Sequence, residues 1–119
     1  MLNINIITPF PAMFDTVLNE SILLKAKEKK LANYNFFNLF DYLDNSSHRI
    51  DDYPFGGGDG MLLKPEPIFN AVNKIKEVDP NCEVWITERG SQFGYDRLIV
   101  DFRGVDVMKK FADKVILDC

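Results

Sequence analysis

No apolar run in this sequence approaches the roughly 18–20 residues a membrane-crossing helix requires; the longest is a few residues, and no membrane partner is expected. Histidine is nearly absent. His48 is the single one, alone in a polar stretch, and is expected to be a surface residue. No nucleophile–base pair of the kind acyl transfer needs can be assembled around it, which leaves a hydrolase without support. Cysteine is scarce too: Cys82 and Cys119 lie far apart. With no signal-peptide pattern over Met1–Pro11, the expectation is two reduced thiols in a cytoplasmic protein, not a disulfide framework. An excess of basic charge is also missing. Fourteen Lys and Arg stand against eighteen Asp and Glu, for a net charge of −4. That argues against holding nucleic acid by blanket electrostatics, but not against recognition of a folded RNA through one local site. Lys25, Lys27, Lys29 and Lys30 form the only dense basic cluster, interrupted by Glu28, and are expected at a solvated helix end. Internal repeats and low-complexity tracts are absent.

What is present suffices for one ordinary domain. The 119 residues are 46% hydrophobic and 27% charged, with ten phenylalanines, the composition of a packed chain and not a disordered one. Asn3–Thr8 is rich in β-branched residues and stops at Pro9, so it is expected to be a first strand. Phe14, Val17, Leu18, Ile22 and Ala26 recur at steps of three and four, which predicts one amphipathic helix from Pro11 to Lys29. Tyr34–Phe40 is expected as a second strand, followed by a long polar loop over Asp41–Leu63. Pro65-Glu66-Pro67 opens the next helix, since proline and an acid both suit a first turn. Ile68, Phe69, Val72 and Ile75 mark its inner face. Glu83–Thr87 is expected as a third strand with a loop at Glu88–Ser91. Leu98–Phe102 is ambiguous between strand and helix, Val105–Phe111 is helical, and Val115–Leu117 is a fourth strand. The alternation of strands and helices predicts an α/β fold with a mostly parallel sheet and flanking helices. Ligands of such sheets bind at the carboxyl ends of the strands, which marks Asp41–Leu63 and Glu88–Ser91 as the loops to watch.

Within the first of these loops, four of the chain's seven glycines fall at Gly56, Gly57, Gly58 and Gly60, beside Asp51, Asp52, Asp59 and Pro54. Glycine runs occur where φ is positive or where bare backbone must approach a ligand, and successive N–H groups in such a turn can form an anion-binding nest. A plain mobile connection has the same composition. No Gly-Lys-Ser/Thr follows, so this is not a nucleotide P-loop, and the glycines do not open a helix after a strand as a dinucleotide fingerprint must. Asp51, Asp52 and Asp59 lack the closing glutamate of a calcium loop, although the acids leave room for a bound Mg2+ ion. Arg49 is placed to meet a phosphate, or to pair with Asp51 or Asp52.

Together these residues resemble a known family. Ile6-Ile7-Thr8-Pro9-Phe10-Pro11-Ala12-Met13-Phe14 is similar to its opening strand and "LFPEMF" turn. Glu20-Ser21-Ile22-Leu23 and Ala26-Lys27-Glu28-Lys29 are similar to its first helix. Asp51-Asp52-Tyr53-Pro54-Phe55-Gly56-Gly57-Gly58-Asp59-Gly60-Met61 resembles its "VDDYPYGGGxGM" signature, continued by Lys64-Pro65-Glu66-Pro67-Ile68. The family is that of the bacterial tRNA (guanine-N1)-methyltransferases (TrmD, SPOUT class). The resemblance is dense from Met1 to about Ala71. Where the family has Lys-His-Arg before the signature, this chain has Ser46-Ser47-His48-Arg49. Where the family has "LSPxG" after its third strand, Ile86-Thr87-Glu88-Arg89-Gly90 stands here, without the proline and with an added charge.

The resemblance implies methyl transfer from S-adenosylmethionine to N1 of a guanine beside the anticodon of tRNA, by a homodimer. It implies that Asp51, Arg49, Gly56, Gly57, Gly58 and Gly60 face the guanine and its RNA, and that Ile86, Thr87 and Gly90 touch the methyl donor. In the family, a strand like Val115–Cys119 runs into a Tyr-Glu-Gly-Ile-Asp loop, the donor-binding trefoil knot, the aspartate proposed as general base and a helical tRNA-binding domain. The expectation is therefore an incomplete SPOUT-like domain over 1–119, truncated before the knot, inactive alone and without a catalytic residue of its own. Other classes open at this point are a non-catalytic RNA-binding or interaction remnant and a phosphate-binding metabolic enzyme using the glycine nest.

Overall fold

In the computed structural model, residues 1–44, 46, 48–90 and 97–118 are described. The first strand, β1 (Leu2–Thr8), lies parallel to β2 (Ala32–Asn38), with Ile4 opposite Tyr34 and Ile6 opposite Phe36. Alternation along the pleat sorts the side chains onto two faces. One face carries Ile4, Ile6 and Phe36, and the Phe36 ring meets Phe14 at 5.5 Å. The other carries asparagines that donate in sequence, Asn33 to Asn35 at 3.0 Å, Asn35 to Asn5 at 2.9 Å, and Asn5 to the Cys82 sulfur at 3.6 Å.

The helix expected over Pro11–Lys29 is two helices, α1 (Met13–Leu18) and α2 (Ser21–Glu28). Asn19 makes the break. Its backbone N–H and its side-chain amide both donate to the Asp15 carbonyl, at 3.2 and 2.7 Å, and Glu20 then turns extended. An asparagine competes in this way for the groups a helix would use. The break rephases the apolar face: Leu18 is buried, Leu23 and Leu24 turn partly inward, and Val17 and Ile22 are exposed. The second helix closes with Leu31 N–H on Ala26 and Lys30 N–H on Lys27, while Lys30 takes the left-handed φ of +55°. That is a Schellman ending, and it leaves Lys25 and Lys27 in the last turn.

Strand β2 ends at Asn38, two residues before its expected limit, because the Asn38 side chain caps a 3₁₀ turn over Leu39–Tyr42 by accepting the Phe40 N–H at 3.1 Å. Leu39 in that turn is the most buried large side chain, 2% exposed. The span expected as one loop over Asp41–Leu63 contains this turn and a short antiparallel hairpin, β3 (Asp51–Asp52) with β4 (Leu62–Leu63). Helix α3 (Pro65–Val78) follows, with Pro65 and Glu66 in its first turn. It buries Pro67, Ala71 and Ile75, flanked by Ile68 and Val72. Phe69 stays half exposed and meets Phe111 edge-on at 5.8 Å.

A second parallel pair comprises β5 (Trp85–Glu88) and β6 (Lys114–Leu117), joined through α4 (Phe102–Met108). Ile99 within the ambiguous stretch makes an isolated bridge, and α4 starts at Phe102 because Asp101 caps it, accepting the Arg103 N–H at 3.1 Å. The architecture is α/β, with parallel strands and flanking helices as expected. Among the described residues the strands form two parallel pairs and one hairpin in place of a single sheet, and residues of both β1 and β5 line one cavity.

Candidate functional site

The glycine stretch is held as a closed excursion. Asp51 pairs with Leu63 and Asp52 with Leu62, and below them the Lys64 N–H donates to the Ile50 carbonyl at 2.7 Å. Ile50 itself is buried, so the base of the hairpin is anchored while residues 53–61 project from it. Gly57 N–H closes on the Pro54 carbonyl at 3.2 Å. Gly56 and Gly57 have φ of +81° and +76°, values an L side chain rarely adopts. No atom lies within 4 Å of the point where a Cβ on either would sit. Backbone conformation, not crowding by the protein, makes glycine necessary at these two positions. The space beside both positions is therefore open.

Arg49 and Asp51 come together at the root of this loop. Arg49 Nε lies 3.5 Å from Asp51 Oδ1, and its guanidinium stands over the Tyr53 ring, 5.4 Å from the centroid. Hydrogen bonding to Tyr53, and then the charge of Asp51, raise the guanidinium above its already high value. The cation is thus pinned to two partners with half of its side chain exposed. Asp52 turns the other way, accepting the Tyr53 N–H at 2.8 Å. His48 is exposed, as expected of a surface residue. The Phe55 ring is fully exposed in the loop.

A cavity of about 580 Å³ lies between β1 and β5, walled by Ile7, Pro9, Leu63, Ile68, Ile86 and Thr87 among others. Ile86 and Thr87, singled out in the sequence for the donor, open onto this cavity, as do Glu83, Val84 and Trp85 before them. Leu63 connects it to the base of the glycine hairpin. Gly90 does not line it. That residue sits in the turn beyond β5 at φ +103°, where a Cβ would lie 3.0 Å from Leu98 Cβ and 3.2 Å from the Ile99 nitrogen. Sequence reasoning passed over Pro9 and Leu63 because each reads as a strand or turn terminus; in the fold they line one cavity with Ile68 and Val72 of α3. The expected loop end Ser91 and the terminal Cys119 lie outside the described residues.

Among the described residues no three His, Cys, Asp or Glu side chains converge to hold a metal ion, so the Mg2+ reading of Asp51, Asp52 and Asp59 gains no support. Nor is any helix among them long and apolar enough to cross a membrane.

Comparison with known proteins adds four findings. The family model described as tRNA (Guanine-1)-methyltransferase TrmD matches residues 2–100. The tRNA (guanine-N(1)-)-methyltransferase of Staphylococcus haemolyticus is 43% identical over 95 residues, which are 80% of this chain and 39% of that protein. The enzyme of the same name from Staphylococcus aureus strain JH9 is 39% identical over 118 residues, 99% of this chain and 45% of that one. The crystal structure of tRNA (m1G37) methyltransferase from Aquifex aeolicus superposes with a TM-score of 0.65 at 26% identity, covering 98% of this chain and 49% of that chain. The chain thus spans less than half the length of the relatives it matches.

Proposed function

The chain belongs to the tRNA (guanine-1)-methyltransferase family, and on that premise we propose that it carries the guanine-facing part of an enzyme that methylates N1 of the guanine beside the anticodon. The observation that supports this most is the hairpin root, where Asp51 and Arg49 are held together beneath an open loop of positive-φ glycines. A guanine presents two donors side by side, N1–H and N2–H, and a carboxylate offers two acceptors at matching spacing. Asp51 takes that edge. Arg49 steadies the Asp51 carboxylate and meets the RNA backbone, as a guanidinium on a phosphate does. Gly56, Gly57, Gly58 and Gly60 give the base close access to backbone N–H groups.

S-adenosylmethionine, when bound, supplies an electrophilic methyl on a sulfonium. The residues of this chain fit one wall of a site for it. Ile86 and Thr87 open onto an apolar cavity suited to a purine face, and Gly90 shapes the turn behind them. We assign none of these residues as general base; the family resemblance puts that aspartate, and the remaining donor contacts, after β6. Homodimer formation, tRNA as partner and a cytoplasmic setting complete the reading.

The test is binding of this chain to an anticodon stem-loop carrying guanine or inosine at the target position. Inosine lacks N2–H, so one of the two hydrogen bonds to Asp51 is lost, and preference for guanine of about tenfold is expected from one charge-assisted bond. Asp51→Asn removes that preference. Equal affinity of the parent chain for both RNAs, or a preference that survives in Asp51→Asn, overturns the assignment. Thermal stabilisation by nucleotides but not by RNA would point to the phosphate-binding alternative.

A further inference from the structure

Glu88 is the one charged residue buried among the described residues, 7% exposed, and the guanine-facing reading makes no use of it. It ends β5, where the strand opens into its turn. Its Oε1 accepts the Gly90 N–H. Its Oε2 lies 3.8 Å from the point where a Cβ on Gly104 would sit, and its backbone carbonyl accepts the Asp118 N–H at 3.0 Å. One residue therefore touches the turn, the start of α4 and the end of β6. Among the described residues no lysine or arginine pairs with it. A carboxylate buried without a counter-ion is costly unless hydrogen bonds offset the loss of water. Here the offset is the backbone N–H of a residue whose own conformation is demanding. Gly90 is at φ +103°, and a Cβ added there would stand 3.0 Å from Leu98 Cβ and 3.2 Å from the Ile99 nitrogen, closer than ordinary contact.

We infer that Glu88 is the positioning residue of this turn: its carboxylate fixes Gly90 and so holds the Ile86–Thr87 strand end where the cavity meets the methyl donor. The final clause rests on the donor-site reading of Ile86 and Thr87; the hold on Gly90 does not. A glutamine at 88 keeps an oxygen acceptor of the same reach without the charge, and an alanine keeps neither. The two substitutions therefore separate the hydrogen bond from mere burial.

Amide exchange and chemical shifts, measured by NMR on the full 119-residue chain, test this. Glu88→Ala is expected to speed exchange at Gly90 by about tenfold or more, the value of one hydrogen bond to an ionised group. Glu88→Gln is expected to stay within roughly threefold of the parent, since a neutral bond retains part of that strength. Added S-adenosylmethionine is expected to shift the Ile86 and Thr87 amides in the parent and in Glu88→Gln, and about tenfold more weakly in Glu88→Ala. Unchanged Gly90 exchange in Glu88→Ala, or loss of protection equal in both variants, overturns the inference. Should Glu88→Ala fail to fold, Gly90 protection in Glu88→Gln decides alone: kept, it supports the inference, and lost, it overturns it. If the donor moves no amide even in the parent, the donor-site reading fails while Gly90 exchange still decides what Glu88 holds.

Discussion

Two glycines with positive φ sit in different surroundings, and replacing each by alanine separates backbone strain from packing. At Gly57, φ is +76° and no atom lies within 4 Å of an added Cβ. Gly57→Ala then carries only the left-handed penalty of about 1–2 kcal/mol, offset by about 0.4–1 kcal/mol from the stiffer unfolded chain. At Gly90, φ is +103° and the added Cβ would stand 3.0 Å from Leu98 Cβ and 3.2 and 3.3 Å from the Ile99 nitrogen and carbonyl carbon. Leu98 is half exposed and can give way. The Ile99 backbone can yield only by moving the chain away from the turn. That overpacking adds about 1–3 kcal/mol, so Gly90→Ala is expected to be more destabilising than Gly57→Ala by about the same amount. Against a total stability of roughly 5–15 kcal/mol for a domain, this is a large fraction. Urea unfolding followed by far-UV circular dichroism reads it. With a slope near 1–3 kcal/mol per molar urea, the Gly90→Ala midpoint should fall below that of Gly57→Ala by about 1 M. Coincident midpoints would show that Leu98 and Ile99 do not press on the turn.

Leu39→Ala, at the most buried large side chain, is expected to cost about 2–5 kcal/mol in the same urea assay, with a loss below 1 kcal/mol refuting the placement of the core at the 3₁₀ turn and α3. Acid should loosen α4 first. Arg103, chiefly through its side-chain bond, lowers the Asp101 carboxyl below its ordinary value of 3.8. A depressed folded value means a contribution present above the unfolded pKa and lost as pH falls through the folded one. Hydrogen exchange at Gly104 and Val105 should therefore accelerate below about pH 4, and Asp101→Asn should flatten that dependence.

The glycine signature was legible because its cause is local. Positive φ is a property of single residues, and the cluster Gly56, Gly57, Gly58 and Gly60 states it outright. What the signature does not contain is its closure. Asp51 pairs with Leu63, and Asp52 with Leu62, across a separation that no periodicity spans, so the stretch read as loop until those backbones met. The single helix expected over Pro11–Lys29 failed for a related reason. Steps of three and four persist across a break, because hydrophobic spacing does not register whether Asn19 spends its amide on Asp15. At Glu88 the sequence announced a lost proline and an added charge, and a charge in a loop is by default a solvated one. Its burial and its bond to Gly90 follow from where α4 begins and β6 ends.

The sequence by itself therefore determined the main alternation of strands and helices and the family, since each is written in local composition and spacing. Tertiary structure alone decided which residues share a space. Ile86 and Thr87 line one cavity with Pro9 and Leu63, Arg49 lies against Asp51 and Tyr53, and Glu88 turns inward. These juxtapositions come from packing between elements distant along the chain, and burial and distance, not residue identity, set their chemistry.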